Sequence, residues 1–243
     1  MFEKLKQLFV RKKEQTPVIL TIHGFGVRRE KEMDDFIEYA KLHLYEVKTF
    51  NLFELDEEDH DYKKWVERAE NALLEEIKNN RKVYLLGFSM GGVIASYLAS
   101  KYSVEKLVLI APAFIHFNLE NYTNIVINKG KKLFSGNDEI KPSMPKNFYG
   151  EFMDCVKEHK NDIKHVTCPV LIIQGDEDEI IPVRSSSWGY DQIEHEQKQL
   201  IFLHKGKHRI LSDEKVKEVA FLLIDDFLHD KLLPIENEQE VKK

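Results

Sequence analysis

Cysteine is scarce in this chain: Cys155 and Cys168 are the two among 243 residues. They form no C-x-x-C pair and cannot build a disulfide framework, so they read as reduced thiols of a cytoplasmic protein. Long apolar runs are missing too, and none approaches the roughly 18 residues of a membrane-spanning helix. A large charge of one sign is absent. The formal net is −6 with acidic and basic residues interspersed, which gives no electrostatic ground for nucleic acid as a partner. His43, His60, His116, His159, His165, His195 and His229 show no H-x-x-E-H or carboxylate-clustered spacing. No metal is therefore expected, and nothing calls for a cofactor. Internal repeats and low-complexity segments are lacking as well.

What is present suits a folded core: 42% hydrophobic and 11% aromatic residues. The opening stretch, MFEKLKQLFVRKKEQ, has no continuous apolar run or cleavage site of a secretory signal. Phe2, Leu5, Leu8 and Phe9 fall at helical spacing among Lys4, Lys6, Arg11, Lys12 and Lys13. Residues 1–15 are thus expected to form a basic amphipathic segment packed on the body of the protein, with weak membrane-surface contact as the alternative.

From residue 17 onward a rhythm begins. Apolar, β-branched runs at 17–24, 46–53, 82–88, 106–113, 169–175 and 199–206 read as strands. Between them, Met33, Phe36, Ile37, Ala40 and Leu44 recur at helical period, as do Trp65, Val66, Ala69, Ala72, Leu73 and Ile77. A last helix is expected near Ser212, with Asp213 and Glu214 in its first turn and Val216, Val219, Ala220, Leu223, Ile224 and Phe227 on its apolar face. Strands apolar on both faces and alternating with helices call for a parallel sheet covered on each side. The interval 114–168 breaks the rhythm and reads as an inserted cap, 54–64 as a solvated charged loop, and 234–243 as a frayed tail. The core is then 16–113 together with 169–233.

The stretch LLGFSMGGVIA (85–95) carries the chemistry. Gly87-Phe88-Ser89-Met90-Gly91 fits G-x-S-x-G between a strand and a helix, the context in which that pattern has meaning. Glycines two positions either side of the serine remove side chains that would collide with neighbouring elements, and Gly92 lets the helix approach the sheet. The hydroxyl would project at the carboxyl edge of the sheet, but it is a weak nucleophile without a base. His208, in HKGKHRILSDE between the last strand and the last helix, is the candidate; His204 is expected in or at the end of the strand. The imidazole needs an acid to fix its tautomer, and QGDEDEIIPV supplies Asp176, Glu177, Asp178 and Glu179. Asp176 comes first after the glycine turn and Asp178 lies deeper in the loop, and chemistry alone does not separate those two. Oxyanion donors are expected from the backbone N–H groups of Met90 and of Phe25, in IHGFGV. His23 is expected to brace that loop by hydrogen bonding. Phe114, Phe117, Phe148 and Phe152 are candidates to line an acyl pocket.

These motifs, in this order from about Pro17 to Leu228, resemble the α/β-hydrolase family, and within it small bacterial carboxylesterases and monoacylglycerol-lipase-like members. The resemblance implies a mostly parallel sheet flanked by helices, with a small cap inserted between the sixth and seventh strands. In its G-x-x-D-x-x-[IV]-P motif, Gly175 to Pro182, the acid falls on Asp178. The acidic stretch at 46–64 departs from the family's glycine-rich loop. The expected activity is hydrolysis of a small carboxylic ester through an acyl-enzyme on Ser89, with no cofactor. The alternatives are a thioesterase or lipid hydrolase using the same groups, or a slow or non-catalytic binding protein on this fold.

Overall fold

The computed structural model describes residues 17–26, 33–55, 58–115 and 147–232. The segment 1–15, Phe117, most of the expected cap and the 234–243 tail lie outside the described residues.

The strands are β1 (Val18–Ile22), β2 (Glu46–Lys48), β3 (Val83–Phe88), β4 (Lys106–Ile110), β5 (Val170–Gly175) and β6 (Lys198–Leu203). They form one six-stranded sheet in the order β2-β1-β3-β4-β5-β6, with every pairing parallel. Strand side chains alternate between faces, and here both faces are dry. Val18, Leu20, Leu85, Leu107, Leu109, Val170 and Ile172 enter one core; Ile19, Leu86, Val108, Ile110, Leu171 and Ile173 enter the other. Each such side chain taken from water contributes about 1.5–3 kcal/mol, so a near-continuous apolar strand is stable only between two helical layers. The helices are α1 (Asp34–Leu42), α2 (Tyr62–Lys78), α3 (Met90–Lys101), α4 (Phe148–His159), α5 (Arg184–Gln192) and α6 (Lys217–Leu228). Side chains of α2, α3 and α4 fill the first core, and those of α1 and α6 the second.

Several elements differ from the sequence reading. The second strand stops at Lys48. Leu52 and Phe53 are buried for another reason: Phe53 sits in an aromatic cluster with Trp65 and Phe148, at ring-centroid distances of 4.9 and 5.4 Å. The charged run after it is not simply solvated. Asp59 is buried, takes Arg68 Nη1 at 2.6 Å and accepts the Glu54 N–H at 2.6 Å, while Asp61 caps α2 by accepting from Lys63 N. The last helix starts at Lys217, after a 3-10 turn at Ile210–Ser212, and between them the Asp213 carboxylate accepts from the backbone N–H groups of Lys207 and Lys215. Val219 and Leu44 are exposed, outside the apolar faces expected of them.

With six strands described, the interval 114–168 falls between β4 and β5. A parallel pair demands a crossover between its strands. Part of that crossover is visible: α4 and the 3-10 turn Lys160–His165 pack against α3. Both cysteines are free and buried, Cys155 on α4 and Cys168 just before β5. Burial pushes the Cys168 thiol up to about 12 and that of Cys155 higher still.

Candidate active site

Strand order fixes where the site lies. β2 flanks β1 on one side and β3 on the other, so the direction of winding reverses between β1 and β3. In open α/β sheets the crevice beyond the carboxyl ends at such a reversal is where ligands bind. Ile22 at the end of β1 is in register with Gly87 near the end of β3, so both loops emerge side by side.

Ser89 is the turn itself. Its backbone lies at φ 54, ψ −116, a conformation worth on the order of 1–3 kcal/mol of strain for a residue with a side chain. Neighbouring backbone holds it there. Ser89 N–H donates to Ile110 O at 2.9 Å, and its carbonyl accepts from Gly92 N and Ala113 N at 3.0 and 3.1 Å. The glycines are required by close approach: a methyl added at Gly91 would stand 2.1 Å from Ile22 O, and one at Gly87 2.5 Å from Gly91 O. Met90 opens α3, and a first-turn N–H has no partner within its own helix. Gly24 lies against this elbow, since a methyl there would sit 2.9 Å from the Phe88 ring and 3.1 Å from Ser89 Cβ.

His208, on the loop after β6 at the same carboxyl edge, reaches that ring, its imidazole 4.9 Å from the Phe88 phenyl. Its Nδ1 is 2.9 Å from Asp178 Oδ2, and its backbone N–H points to Glu179 Oε2 at 3.3 Å. Because a carboxylate cannot donate, the proton of this bond belongs to the imidazole, which leaves Nε2 as the acceptor of the neutral ring. The Asp178 side chain is fully buried, and every lone-pair direction is met. Oδ1 accepts from Ile180 N and Ile181 N, both at 2.8 Å, and Oδ2 from His208 and from Gln174 Nε2 at 2.7 Å. The two loops meet because Gly175 and Gly206 touch: a methyl at Gly175 would lie 2.2 Å from Gly206 O.

Asp176 and His204 also pair, Nδ1 to Oδ2 at 2.9 Å, but with the His204 side chain 80% exposed. That hydrogen bond holds the Asp176 carboxyl below its usual range. Two Asp–His pairs thus stand side by side, one in solvent and one sealed against the elbow.

His23 is bonded at both nitrogens. Nδ1 is 2.8 Å from Gly24 O, and Nε2 accepts the Leu52 N–H at 2.9 Å, an arrangement only the neutral Nδ1–H tautomer satisfies. It ties the Gly24-Phe25 loop to the segment after β2. The Phe25 ring stacks on Phe152 at 5.1 Å and 27°. Phe114 and Phe148 are fully buried, Phe114 beside Trp188 at 5.6 Å and Phe148 beside Trp65 at 5.2 Å, so in this structure their rings belong to the core next to the site. Sequence reasoning missed Gln174, and it named Glu179 and Asp213 without their contacts to His208 N and Lys207 N. Gln174 did leave a signal, as a polar residue in the apolar run VLIIQG.

Parallel sheet, strained serine elbow and carboxylate-bound histidine together define an α/β-hydrolase. The family model described as "alpha/beta hydrolase fold" matches residues 17–163, and the chain belongs to that family. A second model, "Serine aminopeptidase, S33", matches residues 128–215. Solved structures carry the same fold. The Paleococcus ferrophilus monoacylglycerol lipase is 16% identical, with a TM-score of 0.68 over 89% of this chain and 96% of that one. A soluble variant of the Saccharomyces cerevisiae monoglyceride lipase, in complex with a substrate analog, is 20% identical with a TM-score of 0.70 over 90% and 88%. Est1E from Butyrivibrio proteoclasticus is 18% identical with a TM-score of 0.63 over 91% and 90%. No match was found among curated protein sequences.

Proposed function

We propose that the chain is a serine hydrolase of small carboxylic esters, with Ser89 as nucleophile, His208 as general base and Asp178 as its orienting acid. The observation that carries this reading is the sealed Asp178–His208 hydrogen bond, whose imidazole rests on the residue preceding the elbow serine. His208 Nε2 takes the Ser89 proton as Oγ bonds to the ester carbonyl carbon. The N–H groups of Met90 and Phe25 receive the negative oxygen. The tetrahedral intermediate collapses, and the departing alcohol leaves with the proton from His208. Water then attacks the acyl-enzyme carbonyl, giving a proton to His208; the C–Oγ bond breaks, His208 returns the proton to Ser89 Oγ, and the acid is released. Membership of the family and the named activities of the structural neighbours support an ester, with monoacylglycerols and short to medium acyl chains the first substrates to test.

A panel of p-nitrophenyl esters, with thioester and monoacylglycerol counterparts, tests the proposal on the full chain. Ser89→Ala is expected to lower kcat/KM by roughly 10³-fold or more, and an organophosphonate should label wild type at Ser89 but not the variant. Turnover that survives Ser89→Ala undiminished would overturn the assignment. So would stoichiometric ligand binding, unchanged in Ser89→Ala, with no turnover of any ester.

A further inference from the structure

β5 is apolar along its inner face except at Gln174, which follows Val170 and Ile172 on that face and is 0% exposed. An amide is costly to bury unless both ends are hydrogen bonded. Here both are. Nε2 donates to Asp178 Oδ2 at 2.7 Å, and Oε1 accepts from Ser186 Oγ at 2.7 Å. The carboxylate fixes the direction of the chain: it accepts only, so the amide must turn its NH₂ toward Asp178 and its oxygen toward Ser186, whose hydroxyl must then donate. Ser186 is also 0% exposed and sits on α5 beside Ser185, whose Oγ donates to Pro112 O at 2.6 Å. A continuous buried path, Ser186 to Gln174 to Asp178 to His208, therefore runs from a helix to the candidate base.

We infer that Gln174 and Ser186 are positioning residues, which set the plane of the Asp178 carboxylate and draw part of its charge away from His208. The inference rests on the proposed role of His208 as base. Oδ2 is shared between the amide and the imidazole, so what Gln174 takes from that oxygen His208 does not receive. Without the amide the carboxylate is freer to tilt, and its charge falls more heavily on the imidazolium formed during reaction.

Gln174→Met keeps the length of the side chain and deletes the donor. It is expected to lower kcat about tenfold to a hundredfold with KM changed less than about twofold, and to move the acid limb of the kcat/KM profile to higher pH. Ser186→Ala should act in the same direction, by about twofold to tenfold. Ser185→Ala, equally buried but outside the path, should leave the acid limb where it is in wild type. The second readout needs no substrate: the proton NMR resonance of His208 Nδ1–H, downfield of the amide region, should shift in Gln174→Met and Ser186→Ala and stay in place in Ser185→Ala. An acid limb and a resonance both unmoved in folded Gln174→Met would overturn the inference, whatever its specific activity. Should no ester be turned over at all, the proposed function fails while the resonance still decides the positioning role.

Discussion

Asp178 shows how much work one buried carboxylate does: two backbone N–H groups on one oxygen, an amide and an imidazole on the other. This makes Asp178→Asn a severe change despite its size. The new amide must turn its NH₂ either toward Ile180 N and Ile181 N or toward Gln174 and His208, and each choice sets donor against donor. The expected result is a loss of roughly 10³-fold or more in kcat/KM on any ester that proves to be a substrate, measured beside a thermal melt of the same sample. From the sequence, Asp176 and Asp178 were chemically equal. Resemblance to the family favoured Asp178, and the distinction is physical: Asp176 pairs with exposed His204, whereas Asp178 lies sealed beneath Gln174. The elbow was legible because a strained serine needs glycine neighbours in fixed positions. Gln174 and Glu179 were not, since their partners are set by how two loops cross at Gly175 and Gly206.

At the level of elements, α2 and α4 are joined by polar groups as well as rings. Tyr62, the first residue of α2, hydrogen bonds Glu158 through its hydroxyl, and its N–H donates to Glu151 Oε2 at 3.0 Å. The Tyr62 hydroxyl, aided by His159 and Lys63, holds the Glu158 carboxyl below its usual range. A carboxyl depressed in the folded state stabilises above its unfolded value of about 4.3, and that contribution is lost as pH falls through the folded value. Tyr62→Phe should therefore be less stable than wild type near neutrality, by only a fraction of about 1 kcal/mol because Glu158 is exposed and its charge is screened by solvent, with the gap closing in acid. Urea unfolding from pH 7 down to pH 3 reads it; a gap that stays constant throughout would remove Glu158 from the account. Helical periodicity located α1 and α2 in the sequence, but the late start of α6 was hidden: Ile210–Ser212 form a 3-10 turn, and the Asp213 carboxylate accepts from Lys207 N as well as from Lys215 N.

Across the whole molecule, the alternation of apolar strands and amphipathic helices made the covered parallel sheet legible. The aromatic content of 147–168 was harder to read, since Phe148 is fully buried in the core while Phe152, in the same core, stacks on Phe25 of the loop beside the elbow. The same dense crossover buries Cys155, and Cys168 lies at the foot of β5. With burial pushing Cys168 up to about 12 and Cys155 beyond it, neither thiol should react with a maleimide or a disulfide reagent at pH 8 in the folded protein. Both should react at once in denaturant, and rapid labelling of either in native buffer would contradict the packing described.

The seam between β4 and β5 has one more consequence. Everything up to β4 carries Ser89 and the Gly24-Phe25 loop, and everything from β5 onward carries Asp178 and His208, so neither half holds all the groups of the proposed site. The parallel pairing of β4 with β5 is what brings the two sets to one edge of the sheet. Turnover in this chain would thus be a signal of completed assembly, silent in every partly folded or nicked form whose halves have drifted apart.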